Sequence, residues 1–226
     1  MKFFIAGGGC YGSYYVRQLD RARSRGKLKV DEIIVVDRNP HCAVAEKLSE
    51  VAGARLEVCD WLDFGAELFK HRSQWRDDMW VPTPLGPHII FHWIKAHGRP
   101  IAFEGELPHL PYAQILPSGS VVLSHAPGTC PVNCVEPKLC PLTKDIRDWE
   151  MKDTVRDLVD KTKGQTRIDD VGVFVCQHYE HGVGTIALNQ IFGEWERLRS
   201  QFQTGKRIAI ATVSSCHGIV DAFELP

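Results

Sequence analysis

A glycine-rich turn at residues 7–12, with the sequence Gly-Gly-Gly-Cys-Tyr-Gly, is the feature that most constrains how this chain can fold. It follows an apolar segment at residues 2–6 that predicts a β-strand, and it precedes a segment to about residue 25 with apolar residues at helical spacing. The next apolar run, residues 32–37, is rich in β-branched side chains, which is typical of a parallel strand covered on both faces. Because a helical connection makes two strands parallel, the sequence predicts a strand–turn–helix–strand unit.

The alternation of strands and helices continues to about residue 105. Strands are expected at residues 55–59, 78–84 and 101–103, and helices at residues 42–51 and 86–97. Repeated alternation of this kind is typical of an α/β domain with a doubly wound parallel sheet. We therefore predict that residues 1–105 form such a domain and that it binds a dinucleotide.

The remainder of the chain divides into two further regions. Residues 106–145 are rich in proline and cysteine and predict an ordered loop that binds a metal. Residues 146–226 predict a smaller C-terminal α/β unit. Its expected elements are helices at residues 146–163 and 186–202 and strands at residues 171–176 and 207–213.

Charge and hydropathy exclude several partners and locations. The 27 Lys and Arg residues balance 28 Asp and Glu residues, and the formal net charge of −1 offers no field that would attract nucleic acid or an anionic membrane. No apolar run approaches the roughly 20 residues that a membrane helix needs, and the opening residues are too short for a signal-peptide core. We therefore expect a cytoplasmic protein whose eight cysteines stay reduced and serve as metal ligands, reactive thiols or core residues.

The glycines of the opening turn have the spacing G-x-G-x-x-G, and each has a physical role in holding a pyrophosphate. Gly7 permits a tight turn, Gly9 lets the backbone approach the phosphates, and Gly12 lets the helix pack close to the strand. The N-terminus of the helix then faces the phosphates with its free N–H groups.

Asp37 ends the second predicted strand, where its carboxylate would accept hydrogen bonds from an adenosine ribose. A carboxylate there would repel a 2′-phosphate, which favours NAD over NADP, although the neighbouring Arg38 could partly reverse that preference. Thr83 follows another strand whose end should face the same crevice. The predicted cofactor-binding residues are Gly7, Gly9, Cys10, Tyr11, Gly12, Asp37, Arg38 and Thr83.

Through its three motif glycines and Asp37, set in a strand–helix–strand unit, residues 1–60 resemble the Rossmann-fold NAD(P)-binding oxidoreductase superfamily. The resemblance implies a Rossmann-like fold, bound NAD or NADP, and NAD(P)-dependent oxidoreductase activity. The residues themselves leave two alternatives open. The turn could bind another adenosine-containing ligand such as S-adenosylmethionine, or it could only pack a helix on a sheet.

Three cysteines lie close together in the proline-rich segment. Cys130, Cys134 and Cys140 form a C-x3-C-x5-C pattern, and the segment has too few apolar residues to bury them as core. Thiolates in a proline-stiffened loop can converge on one soft metal, which predicts zinc or an iron–sulfur cluster. The spacing does not choose between these metals, and free or redox-active thiols are a third alternative.

A closed zinc or cubane site normally takes four ligands, so a fourth must come from elsewhere in the chain. Cys216 is the first choice because it follows the strand predicted at residues 207–213, and α/β sheets place ligand sites beyond the carboxyl ends of their strands. His217 and Cys176 are the alternatives. The predicted metal ligands are thus Cys130, Cys134, Cys140 and Cys216.

A second polar loop, residues 177–184, lies between a predicted strand and a predicted helix. Its glycines could cradle a phosphate at the start of that helix. His178 and His181 supply groups suited to acid–base catalysis near neutral pH, and they are the candidate catalytic residues. An ordinary polar turn explains the same residues.

Together these features predict a NAD(P)-binding redox protein with a cysteine-ligated metal centre. Its expected partners are a small-molecule substrate or a redox partner protein, and a homo-oligomer is left open. No complete catalytic constellation is visible, so the reaction is undetermined at this level. One alternative is a non-catalytic nucleotide-binding regulatory or interaction module with a structural zinc site. Another is a metal-assisted hydrolase or transferase that uses His178, His181 and an open zinc position.

Overall fold

The computed structural model of the protein describes residues 1–82, 98–128, 130–164, 167–179 and 182–226. These residues form a mixed α/β structure with two mixed β-sheets. The chain divides into two compact units. The first unit comprises Met1–Ile89 and His178–Phe192, and the second unit comprises Ile90–Gln177 and Gly193–Pro226.

The described elements follow one another in a mixed order of strands and helices. The strands are β1 (Lys2–Ala6), β2 (Glu32–Asp37), β3 (Ala54–Val58), β4 (Met79–Val81), β5 (Arg99–Ile101), β6 (Tyr112–Ile115), β7 (Val121–Ser124), β8 (Asp170–Val175), β9 (Gln177–His178), β10 (Gly184–Ala187), β11 (Arg207–Val213) and β12 (His217–Glu224). The α-helices are α1 (Cys10–Ser24), α2 (Trp61–Lys70), α3 (Met151–Asp160) and α4 (Leu188–Arg199). Short 3-10 helices occupy Ala45–Glu50 and Arg72–Gln74.

The first sheet has the strand order β3-β2-β1-β4-β10-β9. Strand β1 lies parallel to both β2 and β4, and β2 lies parallel to β3. Strand β10 pairs antiparallel with β4, so the sheet is mixed. The prediction of an all-parallel, doubly wound sheet is therefore wrong in this respect, because a strand from late in the chain pairs where the parallel series was expected to continue.

Both faces of β1 are covered, which is why its side chains are apolar without alternation. Phe3 and Ile5 pack in one core cluster with Val16 and Leu19 of α1. On the other face the ring of Phe4 contacts aromatic rings of the helical segments that follow β3. The centroid distances are 5.5 Å to Phe64 and 5.4 Å to Trp75.

The second sheet has the order β6-β7-β12-β11-β8, and β5 also pairs with β12. Strand β11 is parallel to β8 and antiparallel to β12. Helix α3 covers this sheet through Met151 and Val155, which lie in one core cluster with Val213 and Val220. The strand predicted at residues 101–103 was expected to complete the first sheet. It forms instead as β5, antiparallel to β12.

Several predicted helices are shorter than expected or start later. The helix predicted at residues 42–51 is the 3-10 helix Ala45–Glu50, and the one predicted at residues 146–163 is α3. The one predicted at 186–202 begins at Leu188, because residues 184–187 pair with β4 as a strand. The helix predicted at residues 86–97 lies outside the described residues. Within the described ranges, no helix is both long enough and apolar enough to cross a membrane.

Substitution of Gly12 tests the close approach between α1 and the preceding turn. A Cβ at Gly12 would lie 2.0 Å from the carbonyl oxygen of Gly7, whereas a Cβ at Gly193 in α4 would meet nothing within 4 Å. We expect Gly12→Ala to lower the free energy of unfolding by about 1–3 kcal/mol through steric strain. Gly193→Ala should raise it by up to about 1 kcal/mol through helix propensity. Urea denaturation of both variants measures the difference, and equal stabilities would contradict this packing.

Candidate functional site

Cys140 lies at the end of a short hairpin in the second unit. Leu139 and Ile146 form an antiparallel bridge, and the backbone N–H of Arg147 donates to the carbonyl of Lys138 at 2.7 Å. The N–H of Cys140 in turn donates to the Asp145 carbonyl at 2.9 Å. The cysteine is therefore held at the base of a tight turn that is closed by main-chain hydrogen bonds.

The turn surrounds the Cys140 sulfur with donors. The backbone N–H and the hydroxyl of Thr143, together with the backbone N–H of Leu142, lower the pKa of this thiol. Burial and the carboxylate of Asp145 oppose that shift, but the net direction is downward. Hydrogen bonds to sulfur favour the thiolate, which is the form that binds a metal.

Cys134 also has a hydrogen-bond donor at its sulfur, and this donor belongs to the residue two positions further along the chain. The backbone N–H of Glu136 donates to Cys134 Sγ at 3.3 Å. Glu136 and Lys144 have φ angles of 50° and 66°, and among the described residues they are the non-glycine residues with positive φ. Such backbone conformations cost of the order of 1–3 kcal/mol each and cluster at functional sites. Both positions lie in the turns that follow predicted ligands.

Cys216 follows β11, as the sequence predicts, and lies in the turn that joins β11 to β12. The N–H of Ser214 donates to the carbonyl of His217 at 2.8 Å, and the Ser214 hydroxyl oxygen accepts from the N–H groups of Cys216 and His217. The N–H of Met151, at the start of α3, donates to the Ser215 carbonyl at 3.0 Å. The position of Cys216 is thus fixed by the sheet and by the helix.

The four predicted cysteine ligands all belong to the second unit. Burial, with smaller contributions from the charges of Cys134, Cys216 and Cys140, raises the pKa of Cys130 to about 11. Glu136 acts in the same direction. Thiols that oppose one another's ionisation in this way lie within electrostatic reach of one another. The fold therefore brings Cys130 within electrostatic reach of three other thiols, one of them 86 positions away in the chain.

Trp149 contributes a donor that the sequence did not reveal as part of the site. Burial raises the pKa of Cys216, whereas the nearby indole N–H of Trp149 lowers it by favouring the thiolate. The Trp149 Nε1 atom is buried and has no hydrogen-bond partner of ordinary geometry. Glu136 was also missed, although its carboxylate raises the pKa of Cys216 and accepts the N–H of Ser215 at 3.1 Å. The sequence signal that could have identified Glu136 is its charged side chain between Cys134 and Cys140.

The two alternative ligands proposed from the sequence lie in different surroundings. His217 Nε2 is 3.2 Å from Cys130 Sγ. Cys176 follows β8, and burial raises its pKa to about 12 with a smaller contribution from Glu136. In the part of the chain that the structure describes, no three His, Cys, Asp or Glu side chains are arranged to hold one metal ion together. The other three thiols lie within electrostatic reach of Cys130, but the described side chains are not in a coordinating arrangement.

In the first unit the glycine turn follows β1 and leads into α1. Gly7 has a φ of 92°, and Gly12 packs against the carbonyl of Gly7. Gly9 is exposed, and a Cβ there would meet nothing within 4 Å. Helix α1 has no side-chain N-cap and no acidic residue in its first turn. The turn therefore presents open space in front of uncapped N–H groups.

Asp37 connects the end of β2 to that turn. Its Oδ2 atom accepts the N–H of Gly8 at 2.7 Å, and its Oδ1 atom accepts the N–H of Asn39 at 2.8 Å. Each carboxylate oxygen can accept a further hydrogen bond. Cys10 and Tyr11 begin α1, and Arg38 is exposed beside Asp37. Seven of the predicted cofactor-binding residues therefore lie in or next to this turn, and Thr83 lies outside the described residues.

The second polar loop has a different structure from the one predicted. His178 belongs to β9, and Gly184 is the first residue of β10 rather than the start of a helix. The phosphate cradle expected at a helix N-terminus is therefore not formed by this glycine. His181 lies outside the described residues, so the predicted pair of catalytic histidines cannot be placed together.

Comparisons with known proteins place the chain in a family. It belongs to the family described as AF_1314_C, "Uncharacterized protein, C-terminal domain", whose model matches residues 89–226. That segment contains all four predicted cysteine ligands. An "Uncharacterized protein" of Archaeoglobus fulgidus is 26% identical over 230 residues, covering 97% of this chain and 98% of that protein.

A solved structure described as "AbyA1 - tetronic acid condensing enzyme" aligns with 92% of this chain and 84% of its own. The alignment has 13% identity and a TM-score of 0.26. A TM-score this low does not establish a shared fold.

Glu136→Gln tests the electrostatic link between the carboxylate and the thiols. Removing the charge while keeping an oxygen acceptor should lower the pKa of Cys130, because a neighbouring negative charge opposes thiol ionisation. In metal-free protein at pH 9, we expect the alkylation rate of Cys130 to rise by up to about twofold, because the carboxylate is the smallest of the causes that raise this pKa. Peptide mapping by mass spectrometry measures this rate. Asp145→Asn is the matched control, since Asp145 acts on Cys140, and an equal effect of both variants on Cys130 would contradict the geometry.

Proposed function

We propose that this protein is a cytoplasmic NAD(P)-binding redox protein with a cysteine-ligated metal centre in its second unit. The observation that supports the proposal is that Cys130 lies within electrostatic reach of Cys134, Cys140 and Cys216, and that hydrogen-bond donors face the sulfur atoms of Cys134 and Cys140. Three of these cysteines come from one short segment and the fourth comes from the turn between two strands. Reduced thiols of this kind are stable in the cytoplasm.

The donor chemistry around the cysteines fits a bound cation. Main-chain N–H groups reach Cys134 and Cys140, and the buried indole N–H of Trp149 acts on Cys216. These donors favour thiolates, yet four thiolates and the carboxylate of Glu136 would repel one another strongly. A divalent metal or a metal cluster compensates this charge, and its binding would displace the thiol protons.

Two kinds of metal fit four thiolates. Zinc would be held in a closed tetrahedral site with a structural role, and an iron–sulfur cluster would supply one-electron redox chemistry. The redox proposal favours the cluster. In either case the role of this chain's residues is to hold the thiolates in position, to donate hydrogen bonds to sulfur, and to exclude water from Cys140 and Cys216, which are buried.

The first unit supports the nucleotide-binding half of the proposal. The parallel part of the first sheet has the order β3-β2-β1-β4, so the chain runs from β1 to β2 and β3 on one side and continues with β4 on the other side of β1. In α/β sheets, ligands bind beyond the carboxyl ends of the strands at such a point. The glycine turn and Asp37 lie at that end of β1 and β2. We propose a Rossmann-like site here, with the pyrophosphate over Gly9 and the ribose on Asp37, which favours NAD.

A second candidate function is a non-catalytic interaction module with a structural zinc site. The cysteine segment, residues 130–146, exposes several large apolar side chains, which is a common property of protein-binding surfaces. These side chains are Val132, Val135, Leu139, Leu142 and Ile146. This function predicts zinc, no visible absorption and no turnover with a hydride donor.

Metal content is the first test of the proposal. Protein purified without oxygen should carry iron with a broad visible absorption, or about one zinc per chain. Cys134→Ser should lose most of the metal because it removes one thiolate. Cys59→Ser is the matched control, since Cys59 lies after β3 in the first unit and should leave metal content unchanged.

The outcome separates the two functions. Iron with visible absorption supports the redox protein, and colourless zinc protein supports the interaction module. Protein that binds neither metal, under conditions in which it is folded by circular dichroism, contradicts both versions of the metal centre.

Nucleotide binding is tested independently at Gly9. A Cβ at this position meets nothing in the protein within 4 Å, so Gly9→Ala should fold normally. It should nevertheless weaken NADH binding by tenfold or more, because the added methyl occupies the space in front of the uncapped helix N-terminus where the pyrophosphate would lie. Titration of NADH fluorescence measures the affinity.

Gly128→Ala is the control for this experiment, because a Cβ there also meets nothing within 4 Å but the residue lies in the second unit. Equal NADH affinity in the native protein and in Gly9→Ala would refute the proposed phosphate position. Tighter binding of S-adenosylmethionine than of NADH would reassign the site to another adenosine ligand.

A further inference from the structure

We propose that this protein associates with further copies of itself, through a row of arginines on α1 of one copy and a row of carboxylates on α2 of the next. Both rows belong to the first unit. The arginine row is Arg17, Arg21 and Arg25, and the carboxylate row is Asp60, Asp63 and Glu67. This inference goes beyond the proposed function, and it depends on neither the metal centre nor the nucleotide site.

The arginine row lies on the exposed side of α1. Arg17 and Arg21 are four residues apart, so they share one face of the helix, and Arg25 follows at the same spacing at the C-cap. All three are exposed, and none of them forms an ion pair with a carboxylate of the described residues. The carboxylate of α1 itself, Asp20, pairs with Arg23. Like charges at this spacing repel one another, and a partner of opposite charge would remove that cost.

The carboxylate row gives α2 the opposite charge. Asp60 is the N-cap of α2, and Asp63 and Glu67 follow at spacings of three and four residues, so the three carboxylates share one face. All three are exposed. Burial raises the pKa of Cys59, and three carboxylates, those of Asp63, Glu57 and Asp60, act in the same direction. The negative charges are therefore close enough together to act as one region.

The two rows lie on opposite faces of the first sheet. Val16 and Leu19 of α1 pack in the core cluster that contains Ile5 of β1. Phe64 of α2 contacts Phe4, whose side chain lies on the other face of the sheet because side chains alternate along a strand. One copy of the first unit therefore presents positive charge beyond one face of the sheet and negative charge beyond the other.

The two rows also match in length. The ends of the arginine row are eight positions apart and those of the carboxylate row are seven, which corresponds to about 12 Å and about 10.5 Å along a helix. A helix-to-helix contact would therefore place guanidinium groups against carboxylates over the whole row, and such pairs can be bidentate. The formal net charge of −1 opposes association of identical copies very little.

We expect the association to be weak and to depend on salt. Exposed ion pairs contribute little individually, and Glu67 already lies 3.4 Å from Lys70 Nζ of its own helix. Added salt screens such charges further. Because the rows lie on opposite faces, each copy can contact two neighbours in a head-to-tail arrangement. The assembly then grows as a chain or closes as a ring, rather than stopping at a two-fold dimer.

Sedimentation of the native full-length protein tests whether the contact exists. At about 20 mM salt we expect the average mass to rise with protein concentration, and at about 300 mM salt we expect it to fall to the mass of a single chain. Native protein that remains a single chain at low salt and about 1 mM protein overturns the inference. Association that is unchanged by salt also overturns it, because the contact would then not be electrostatic.

Charge reversal tests whether the two rows form the contact. Arg17→Glu combined with Arg21→Glu should abolish self-association, and so should Asp63→Lys combined with Glu67→Lys, because like charges then face one another. An equal mixture of these two double variants should associate again, since the reversed rows attract one another and the two remaining native rows do the same. A mixture that stays at the mass of a single chain overturns the assignment.

Glu46→Lys combined with Glu50→Lys is the matched control, because it makes the same change in net charge at two exposed positions of a 3-10 helix in the same unit. It should associate as the native protein does, and an equal loss of association there would show that net charge alone is responsible. If circular dichroism shows that a reversed variant does not fold, Arg17→Gln combined with Arg21→Gln decides instead. We expect it to weaken association by about tenfold or more, and unchanged association overturns the inference.

Discussion

The turn between β11 and β12 is the constraint on which the cysteine site depends. Two of its residues, Ser215 and Cys216, make hydrogen bonds to three other parts of the second unit. The Cys216 carbonyl accepts the N–H of His125, the Ser215 carbonyl accepts the N–H of Met151, and the Ser215 N–H donates to Glu136. The end of β7, the start of α3 and the cysteine segment are thereby fixed to one short turn. Buried main-chain groups must be paired, so any change in this turn would alter all three contacts.

The first three elements, β1, α1 and β2, could be predicted because the residues that specify each of them lie within the element or next to it. The glycine spacing, the apolar run at residues 2–6 and the β-branched run at residues 32–37 produced β1, α1 and β2 with small errors at the ends. The four cysteines could also be nominated, since Cys130, Cys134 and Cys140 share one segment and Cys216 follows a buried strand. In the structure, Cys130 lies within electrostatic reach of the other three.

The sheet order could not be predicted, because it depends on pairing between distant segments. Strand β12 alternates buried and half-buried residues, and its partners β5, β7 and β11 come from three separate parts of the chain. Strand β10 was mistaken for the beginning of a helix, since its four residues are too few to show a period. Trp149 and Glu136 were missed for a related reason. Their importance lies in which thiols they face, and the sequence does not contain that information.

The composition of the cysteine segment indicates that the stability of its conformation would depend on what it binds. Its apolar side chains are largely exposed rather than packed, and two of its residues have backbone conformations that are unfavourable for side chains with a Cβ. Hydrophobic burial therefore contributes little to its stability, and hydrogen bonds to sulfur contribute most when the sulfur is a thiolate. A metal that stabilises thiolates would strengthen the same hydrogen bonds that set the turns. If the proposed metal binds, its binding and the local folding of this segment would be one equilibrium, as in zinc fingers.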